Sequence, residues 1–221
     1  MKIAVIDPGS GNLASVRRAL DRVAREEGVA ATIAVTTEAA DLRDADRIIL
    51  PGQGAFAACR RGLDALPGMV DALEEQVLAK GKPFLGICVG MQLMAERGLE
   101  HGTTRGLGWI GGEIAPMDPR DAAGAPLPLP QMGWNALEIS APAHPLLAGV
   151  AAGDHAYFVH SYALAGGRAD QCLAATEYGG AVPAIVGRDN IAGTQFHAEK
   201  SGRVGLRILA NFLAWTPKGR A

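Results

Sequence analysis

A cysteine flanked by glycines, where a strand turns into a helix, is the feature that most constrains this fold. Residues 83–88 (Pro-Phe-Leu-Gly-Ile-Cys) are predicted to form a buried strand, followed by a helix through Ala95. Gly86 and Gly90 flank Cys88 as in the G-x-nucleophile-x-G turn, with cysteine in place of serine. Glycines let the backbone pass close on both sides, and the helix N-terminus favours a thiolate. The alternative is a buried structural cysteine.

Apolar strands alternate with helices in the first hundred residues. The predicted strands are 2–7, 31–36, 47–50 and 83–88, and the predicted helices begin at residue 13 and span residues 70–80. This alternation predicts parallel pairing and right-handed crossovers, with function at the carboxyl ends of the strands. Asp7, the turn at residues 51–54 and Cys88 are therefore expected at one edge of the sheet.

The second half of the chain has a different pattern. Residues 115–130 are crowded with Pro, Ala and Gly and are predicted to form a surface loop or hairpin. Short strands without intervening helices are predicted at residues 132–139, 156–162, 172–176, 182–186 and 191–196, and a closing helix at residues 204–213. The expected fold is α/β: one domain over residues 1–221, with a mainly parallel central sheet flanked by helices and an antiparallel or mixed extension in the C-terminal half.

Composition and net charge argue against several kinds of binding partner and indicate the cellular compartment. A net charge of −2 and 48% hydrophobic residues do not point to nucleic acid or a membrane surface as a partner. The first residues are predicted to form a strand and not a signal peptide. Three cysteines without a CxxC pair argue against a disulfide framework and a thiolate zinc site. We expect a cytoplasmic protein without a metal.

A histidine and a glutamate near the C-terminus provide candidate partners for the cysteine. His197 and Glu199 follow the strand at residues 191–196 and are two residues apart, so in an extended segment they point to the same side. A carboxylate can then hold the imidazole in one tautomer while its other nitrogen faces a nucleophile. Cysteine, histidine and glutamate in these roles are typical of acyl transfer. The alternative is a surface histidine beside a solvated glutamate.

These motifs together resemble a known family. Residues 86–92 (Gly-Ile-Cys-Val-Gly-Met-Gln) and 195–199 (Gln-Phe-His-Ala-Glu) resemble the class I glutamine amidotransferases. Residues 51–56, 131–135 and 157–162 (Tyr-Phe-Val-His-Ser-Tyr) are similar to the branch that supplies ammonia within imidazole glycerol phosphate synthase. The resemblance spans essentially the whole chain.

The resemblance implies hydrolysis of glutamine to glutamate and ammonia without a cofactor. Cys88 would be the nucleophile, His197 the acid and base, and Glu199 its orienting carboxylate. The oxyanion hole would use the N–H of Val89 and the turn at Gly52, Gln53 and Gly54. Alternatively, this turn is only a tight connection between a strand and a helix.

The resemblance also implies a set of substrate contacts. The residues implied are Gln92, Glu100, His160, Ser161 and Tyr162. Glu100 would pair with the ammonium group of glutamine. Alternatively, Glu100 is solvated, Gln92 lies on a helix surface, and residues 159–162 are a core strand.

The implied partner is a (β/α)8 cyclase subunit that accepts the ammonia, forming a heterodimer. Asn12 and Trp134 would lie near the interface by resemblance. Alternatively, the loop before Asn12 is only a helix entry and Trp134 is buried, as tryptophans commonly are. Two other functions stay open at this point. One is an amidotransferase subunit of another pathway, such as pyridoxal phosphate or anthranilate synthesis, and the other is a catalytically inactive regulatory module on the same fold.

Overall fold

The computed structural model describes residues 1–217 of the chain. The strands are β1 (Lys2–Ile6), β2 (Thr32–Thr36), β3 (Arg47–Gly52), β4 (Phe84–Cys88), β5 (Arg97–Gly98), β6 (Thr104–Arg105), β7 (Glu113–Pro116), β8 (Gln131–Ile139), β9 (His155–His160), β10 (Tyr162–Ala165), β11 (Cys172–Glu177), β12 (Ala181–Arg188) and β13 (Ile191–Thr194). The helices are α1 (Leu13–Glu26), α2 (Asp41–Asp44), α3 (Phe56–Asp64), α4 (Met69–Leu73), α5 (Val89–Gln92) and α6 (Gly202–Ala214). A π-helical segment, Glu74–Ala79, continues α4, and short 3-10 turns cover Pro145–Leu147, Ala169–Gln171 and Ala198–Lys200.

The larger sheet confirms the predicted fold class. Its nine strands run in the order β2-β1-β3-β4-β13-β12-β11-β8-β9. The first five strands pair in parallel, and the pairings from β13 to β9 are antiparallel. β3 and β4 lie at the centre of the parallel part and are buried along their whole lengths. Parallel strands buried on both faces are typical of an α/β fold.

The parallel pairing brings several strand ends to one edge of the sheet. Gly52 at the end of β3 lies beside Cys88 at the end of β4. β1 and β13 run in the same direction as these strands, so the segments that follow them reach the same edge. This places residues from both ends of the sequence around the turn at Cys88, as the alternation of strands and helices predicts.

The structure also contains a second, smaller sheet that is not predicted from the sequence. It has four short strands in the order β10-β7-β5-β6. The strand predicted over residues 156–162 is split at Ser161, since β9 pairs with β8 in the larger sheet and β10 pairs with β7 in the smaller one. Ser161 therefore lies where the chain passes from one sheet to the other.

Two helices differ from their predicted extents. The segment predicted as one helix over residues 70–80 is α4 followed by the π-helical segment. The helix after Cys88, predicted through Ala95, ends at Gln92. The carbonyls of Met94 and Ala95 instead accept hydrogen bonds from the backbone of residues 108–110, so tertiary contacts end the helix. Among residues 1–217, no helix combines the length and apolar character needed to cross a membrane.

Candidate active site

The turn at Cys88 has the strained backbone that its sequence predicts. Cys88 has φ 54° and ψ −113°, and it is 4% exposed. A Cβ atom on Gly86 would lie 2.7 Å from the carbonyl oxygen of Gly90, and one on Gly90 would collide with the carbonyl oxygen of Leu50. The two glycines are therefore required because α5 packs directly on β3 and β4.

His197 and Glu199 form a buried pair next to Cys88. The Nδ1 atom of His197 lies 2.8 Å from Oε1 of Glu199, and their side chains are 6% and 1% exposed. The Cys88 thiol interacts with the same imidazole, and Cys88 and His197 line one cavity. The structure therefore brings Cys88 together with a His–Glu pair that lies more than a hundred residues later in the sequence.

The surroundings of His197 favour its charged form. Burial disfavours the imidazolium, but hydrogen bonds with Cys88 and Glu199 and the charges of both groups outweigh that cost and raise the pKa of His197 to about 9. At neutral pH the ring is therefore protonated, and its Nδ1–H donates to the Glu199 carboxylate. A positively charged imidazolium beside a cysteine can stabilise a thiolate and later donate a proton to a leaving group.

The cavity has a volume of about 650 Å³, which lies within the range of small-molecule sites. Ten residues predicted for the site line it: Gln53, Gly54, Cys88, Val89, Gln92, Glu100, His160, Ser161, Tyr162 and His197. Within residues 1–217, no group of three or more His, Cys, Asp or Glu residues is arranged to hold a metal ion.

Four of the predicted residues lie outside the cavity lining. Gly52 is buried beside Cys88, where a Cβ atom would lie 2.9 Å from the backbone nitrogen of Gly90. Glu199 lies behind His197. Asn12 accepts a hydrogen bond from the Ser15 N–H at 3.3 Å and caps α1. Trp134 is 54% exposed, so the alternative of a buried tryptophan is wrong.

Sequence reasoning missed several residues that line the cavity. They are Gly9, Ser10, Pro130, Val159 and Lys200. Ser10 comes after β1, and Lys200 comes after β13 and the histidine motif. Both strands end at this edge of the sheet, so the sequence contains a signal for each residue. Pro130 and Val159 carry no such signal, because their place depends on how β8 and β9 pack beside the parallel strands.

Gln92 and Glu100 are both held by the protein. The Gln92 amide nitrogen donates to the Tyr162 carbonyl at 3.0 Å and to Oε1 of Gln195 at 3.1 Å. Oε2 of Glu100 accepts the N–H of Phe56 at 2.7 Å, at the start of α3. Neither side chain is therefore free in solvent, and each ties a neighbouring segment to the cavity wall.

His160 is a second histidine in the cavity, and its pKa is shifted in the opposite direction from that of His197. Burial is the main cause that lowers the pKa of His160 to about 4, and the charge of His197 lowers this pKa further. The hydrogen bond with the Tyr162 carbonyl acts in the opposite direction and raises it. The ring is therefore neutral at pH 7, and Nδ1–H donates to that carbonyl at 3.0 Å. Two donors, from Gln92 and His160, thus fix the backbone at Tyr162.

This difference predicts an effect of acid on stability. Between pH 7 and pH 5, we expect the wild type to lose about 2 kcal/mol more unfolding free energy than a His160→Gln variant. The pKa of His160 is depressed in the folded state, so between its ordinary value and about 4 only the unfolded chain binds the proton. Urea denaturation at both pH values measures the difference. His155→Gln, at an exposed histidine, is the control, and equal pH dependence in the wild type and His160→Gln would contradict the assignment.

Comparison with known proteins gives consistent matches. The family description "Glutamine amidotransferase class-I" matches residues 4–215. A protein of Granulibacter bethesdensis named imidazole glycerol phosphate synthase subunit HisH is 60% identical, covering 99% of this chain and 98% of that protein. A protein of Brucella suis biovar 1 with the same name is 56% identical, covering 98% of this chain and 100% of that protein.

Solved structures with low sequence identity support the fold alone. A crystal structure described as a glutamine amidotransferase superimposes with a TM-score of 0.69 at 18% identity, covering 96% of this chain and 97% of that chain. The glutaminase domain of Trypanosoma brucei CTPS with bound acivicin gives a TM-score of 0.64 at 17% identity, covering 97% and 92% of the two chains.

Proposed function

This chain belongs to the class I glutamine amidotransferase family, and we propose that it is the subunit of imidazole glycerol phosphate synthase that hydrolyses glutamine. The pathway is supported by relatives of that name at 56% and 60% identity over nearly the whole chain. These relatives favour this function over an amidotransferase of another pathway. The chemistry is carried by one observation: Cys88 and His197 meet in one cavity, with Glu199 bonded to the far side of the imidazole.

The first half-reaction releases ammonia. The Cys88 sulfur attacks the side-chain amide carbon of glutamine, and the carbonyl oxygen becomes an oxyanion. The carbon–nitrogen bond then breaks as His197 donates a proton to the leaving nitrogen. Ammonia leaves, and a glutamyl thioester remains on Cys88.

The second half-reaction restores the enzyme. The neutral His197 takes a proton from water, and the oxygen attacks the thioester carbon. The carbon–sulfur bond breaks, glutamate leaves, and the thiolate is again paired with the imidazolium. Glu199 holds the ring and stabilises its charge throughout both steps.

The remaining cavity residues are assigned to the oxyanion and to the ends of the substrate. Backbone N–H groups of Val89 and of the turn at Gln53 and Gly54 stabilise the oxyanion. The Glu100 carboxylate pairs with the ammonium of glutamine. The segment of residues 160–162, held by Gln92 at the Tyr162 carbonyl, contacts the substrate carboxylate.

The partner is a (β/α)8 cyclase subunit in a cytoplasmic heterodimer. Relatives at 56% and 60% identity are named as subunits of a synthase, which supports a second subunit as the acceptor of the ammonia. Asn12 and Trp134 are assigned to the contact surface. Trp134 is exposed and packs edge-on against Tyr157, with ring centroids 5.8 Å apart. Its exposure supports a docking role, because large exposed aromatic side chains are enriched in interfaces.

Partner-dependent hydrolysis tests the proposal. We expect glutamate release to be slow for the chain alone and to rise about tenfold or more with the cyclase subunit of the same organism and its nucleotide ligand. A tenfold rise corresponds to about 1.4 kcal/mol of transition-state stabilisation. The Cys88→Ser variant in the same mixture controls for contaminating glutaminase. Stimulation by the glutamine-dependent synthase of another pathway, without stimulation by the cyclase, would refute the assignment.

A further inference from the structure

A buried cysteine outside the cavity is hydrogen-bonded to the turn that borders it. Cys59 on α3 is completely buried and forms no disulfide. Its thiol donates to the carbonyl oxygen of Gln53, with 3.2 Å between sulfur and oxygen. The hydroxyl oxygen of Ser10, in the loop after β1, lies 3.1 Å from the same sulfur. Residues from three separate segments therefore meet at this point.

The chemistry of these groups fixes the direction of the hydrogen bonds. A thiol has a single hydrogen, and the Cys59 hydrogen is used on the Gln53 carbonyl, so the Ser10 hydroxyl is the donor to the sulfur. Burial raises the pKa of the Cys59 thiol more than its bonds with Ser10 and Gln53 lower it. The thiol therefore remains protonated at neutral pH, as a donor must.

The bond to Gln53 also determines where the next N–H points. In a trans peptide the C=O of one residue and the N–H of the next point in opposite directions. With the Gln53 carbonyl held by Cys59, the Gly54 N–H is on the other face of the turn. Within residues 1–217 this N–H has no hydrogen-bond acceptor, and Gln53 and Gly54 line the cavity that contains Cys88. A free backbone donor thus lies at its edge.

We infer that Ser10 and Cys59 form a relay that orients the Gln53–Gly54 peptide toward the cavity and thereby act as positioning residues for glutamine hydrolysis. This inference rests on the function proposed above. Gly54 has φ +88° and no side chain, so little else in the turn prevents this peptide from rotating. A rotated peptide would present a carbonyl oxygen where a donor is needed, and that oxygen would repel a developing oxyanion.

Substitutions at Cys59 test the relay in the complex with the cyclase subunit. Cys59→Ala removes the donor, and we expect kcat for glutamine hydrolysis to fall about fivefold, the effect of one neutral hydrogen bond. KM should change by less than about twofold, because the peptide acts mainly in the transition state. Cys59→Ser keeps a donor and should recover most of the loss. Cys172→Ala is the matched control, since its thiol also faces a backbone carbonyl, at 3.5 Å, but does not line the cavity.

A second variant tests whether Ser10 acts through Cys59. Ser10→Ala should lower kcat by about twofold, and Ser10→Ala combined with Cys59→Ala should match Cys59→Ala alone within about twofold. Losses that multiply in the double variant would overturn the relay. A fall in melting temperature with unchanged kcat in Cys59→Ala would overturn the positioning role as well.

The orientation of the peptide can also be measured without activity. Gln53–Gly54 is the only Gln–Gly pair in the sequence, so carbonyl-¹³C glutamine and ¹⁵N glycine give one NMR correlation for the Gly54 amide. We expect Cys59→Ala to shift this resonance, Cys59→Ser to return it toward its wild-type position, and Cys172→Ala to leave it unchanged. An unshifted resonance in Cys59→Ala would refute the relay. If the wild-type complex releases no glutamate, the proposed function has failed, whereas this resonance still decides the relay.

Discussion

Replacing Cys88 with serine is expected to abolish ammonia release from glutamine while the protein remains folded. Serine has nearly the same shape as cysteine, but its hydroxyl is a far weaker nucleophile than a thiol at neutral pH, so the reactive sulfur is lost while the side-chain volume is kept. We expect a loss on the order of 10³-fold or more in kcat. The measurement is initial-rate glutamate release by the complex with the cyclase subunit, alongside thermal denaturation of the variant.

A control and a labelling experiment make this prediction specific. Cys172→Ser changes a partly buried cysteine on β11 and should leave the rate unchanged. A glutamine-mimicking electrophile should form a single adduct, at Cys88, that mass spectrometry can locate. Retained hydrolysis in Cys88→Ser, or an adduct at Cys59 instead, would remove Cys88 from the role of nucleophile.

The parallel half of the fold can be predicted because each of its strands and helices has its own pattern in a short stretch of sequence. β1, β3 and β4 are short apolar runs, and the helices between them fix parallel pairing. Residues rich in glycine and proline lie at the ends of β1 and β3, whereas β4 runs directly into α5 at Cys88. The same logic predicts Cys88 at the edge of the sheet. The end of α5 cannot be predicted from its own sequence, because it depends on a tertiary contact. The carbonyl of Met94 accepts hydrogen bonds from the backbone N–H groups of Trp109 and Ile110.

The smaller sheet and the wall of the cavity depend on tertiary structure. β5 and β6 have two residues each, too few to show an alternating pattern. The break at Ser161 exists because His160 pairs with Gln131 while Tyr162 pairs with Pro116, and no local signal distinguishes these two pairings. Sequence motifs therefore predicted most of the residues that line the cavity, and they predicted the side-chain pair of His197 and Glu199. They did not show that Gly52 faces α5, or that Ser10 and Lys200 belong to the cavity.

His197→Asn should reduce glutamine hydrolysis far more than Glu199→Gln. In the proposed mechanism His197 transfers protons in both half-reactions, so its removal is expected to cost on the order of 10³-fold or more in kcat. Glu199 accepts a hydrogen bond from Nδ1 of the ring, and Gln can still accept that hydrogen bond. We therefore expect a loss of about 10-fold to 10²-fold in Glu199→Gln, measured with the same complex and assay.

The pH profile of Glu199→Gln distinguishes an electrostatic role of the carboxylate from one in packing alone. The bond and the charge of Glu199 are among the causes that raise the pKa of His197 to about 9. Removing that charge lowers the imidazole pKa, so the alkaline limb of the profile of kcat/KM should move to lower pH. Glu113→Gln, which removes a surface carboxylate paired with Arg97, should leave the limb in place. An unmoved limb in Glu199→Gln, or a loss as large as that of His197→Asn, would contradict this division of roles between the base and the carboxylate that holds it.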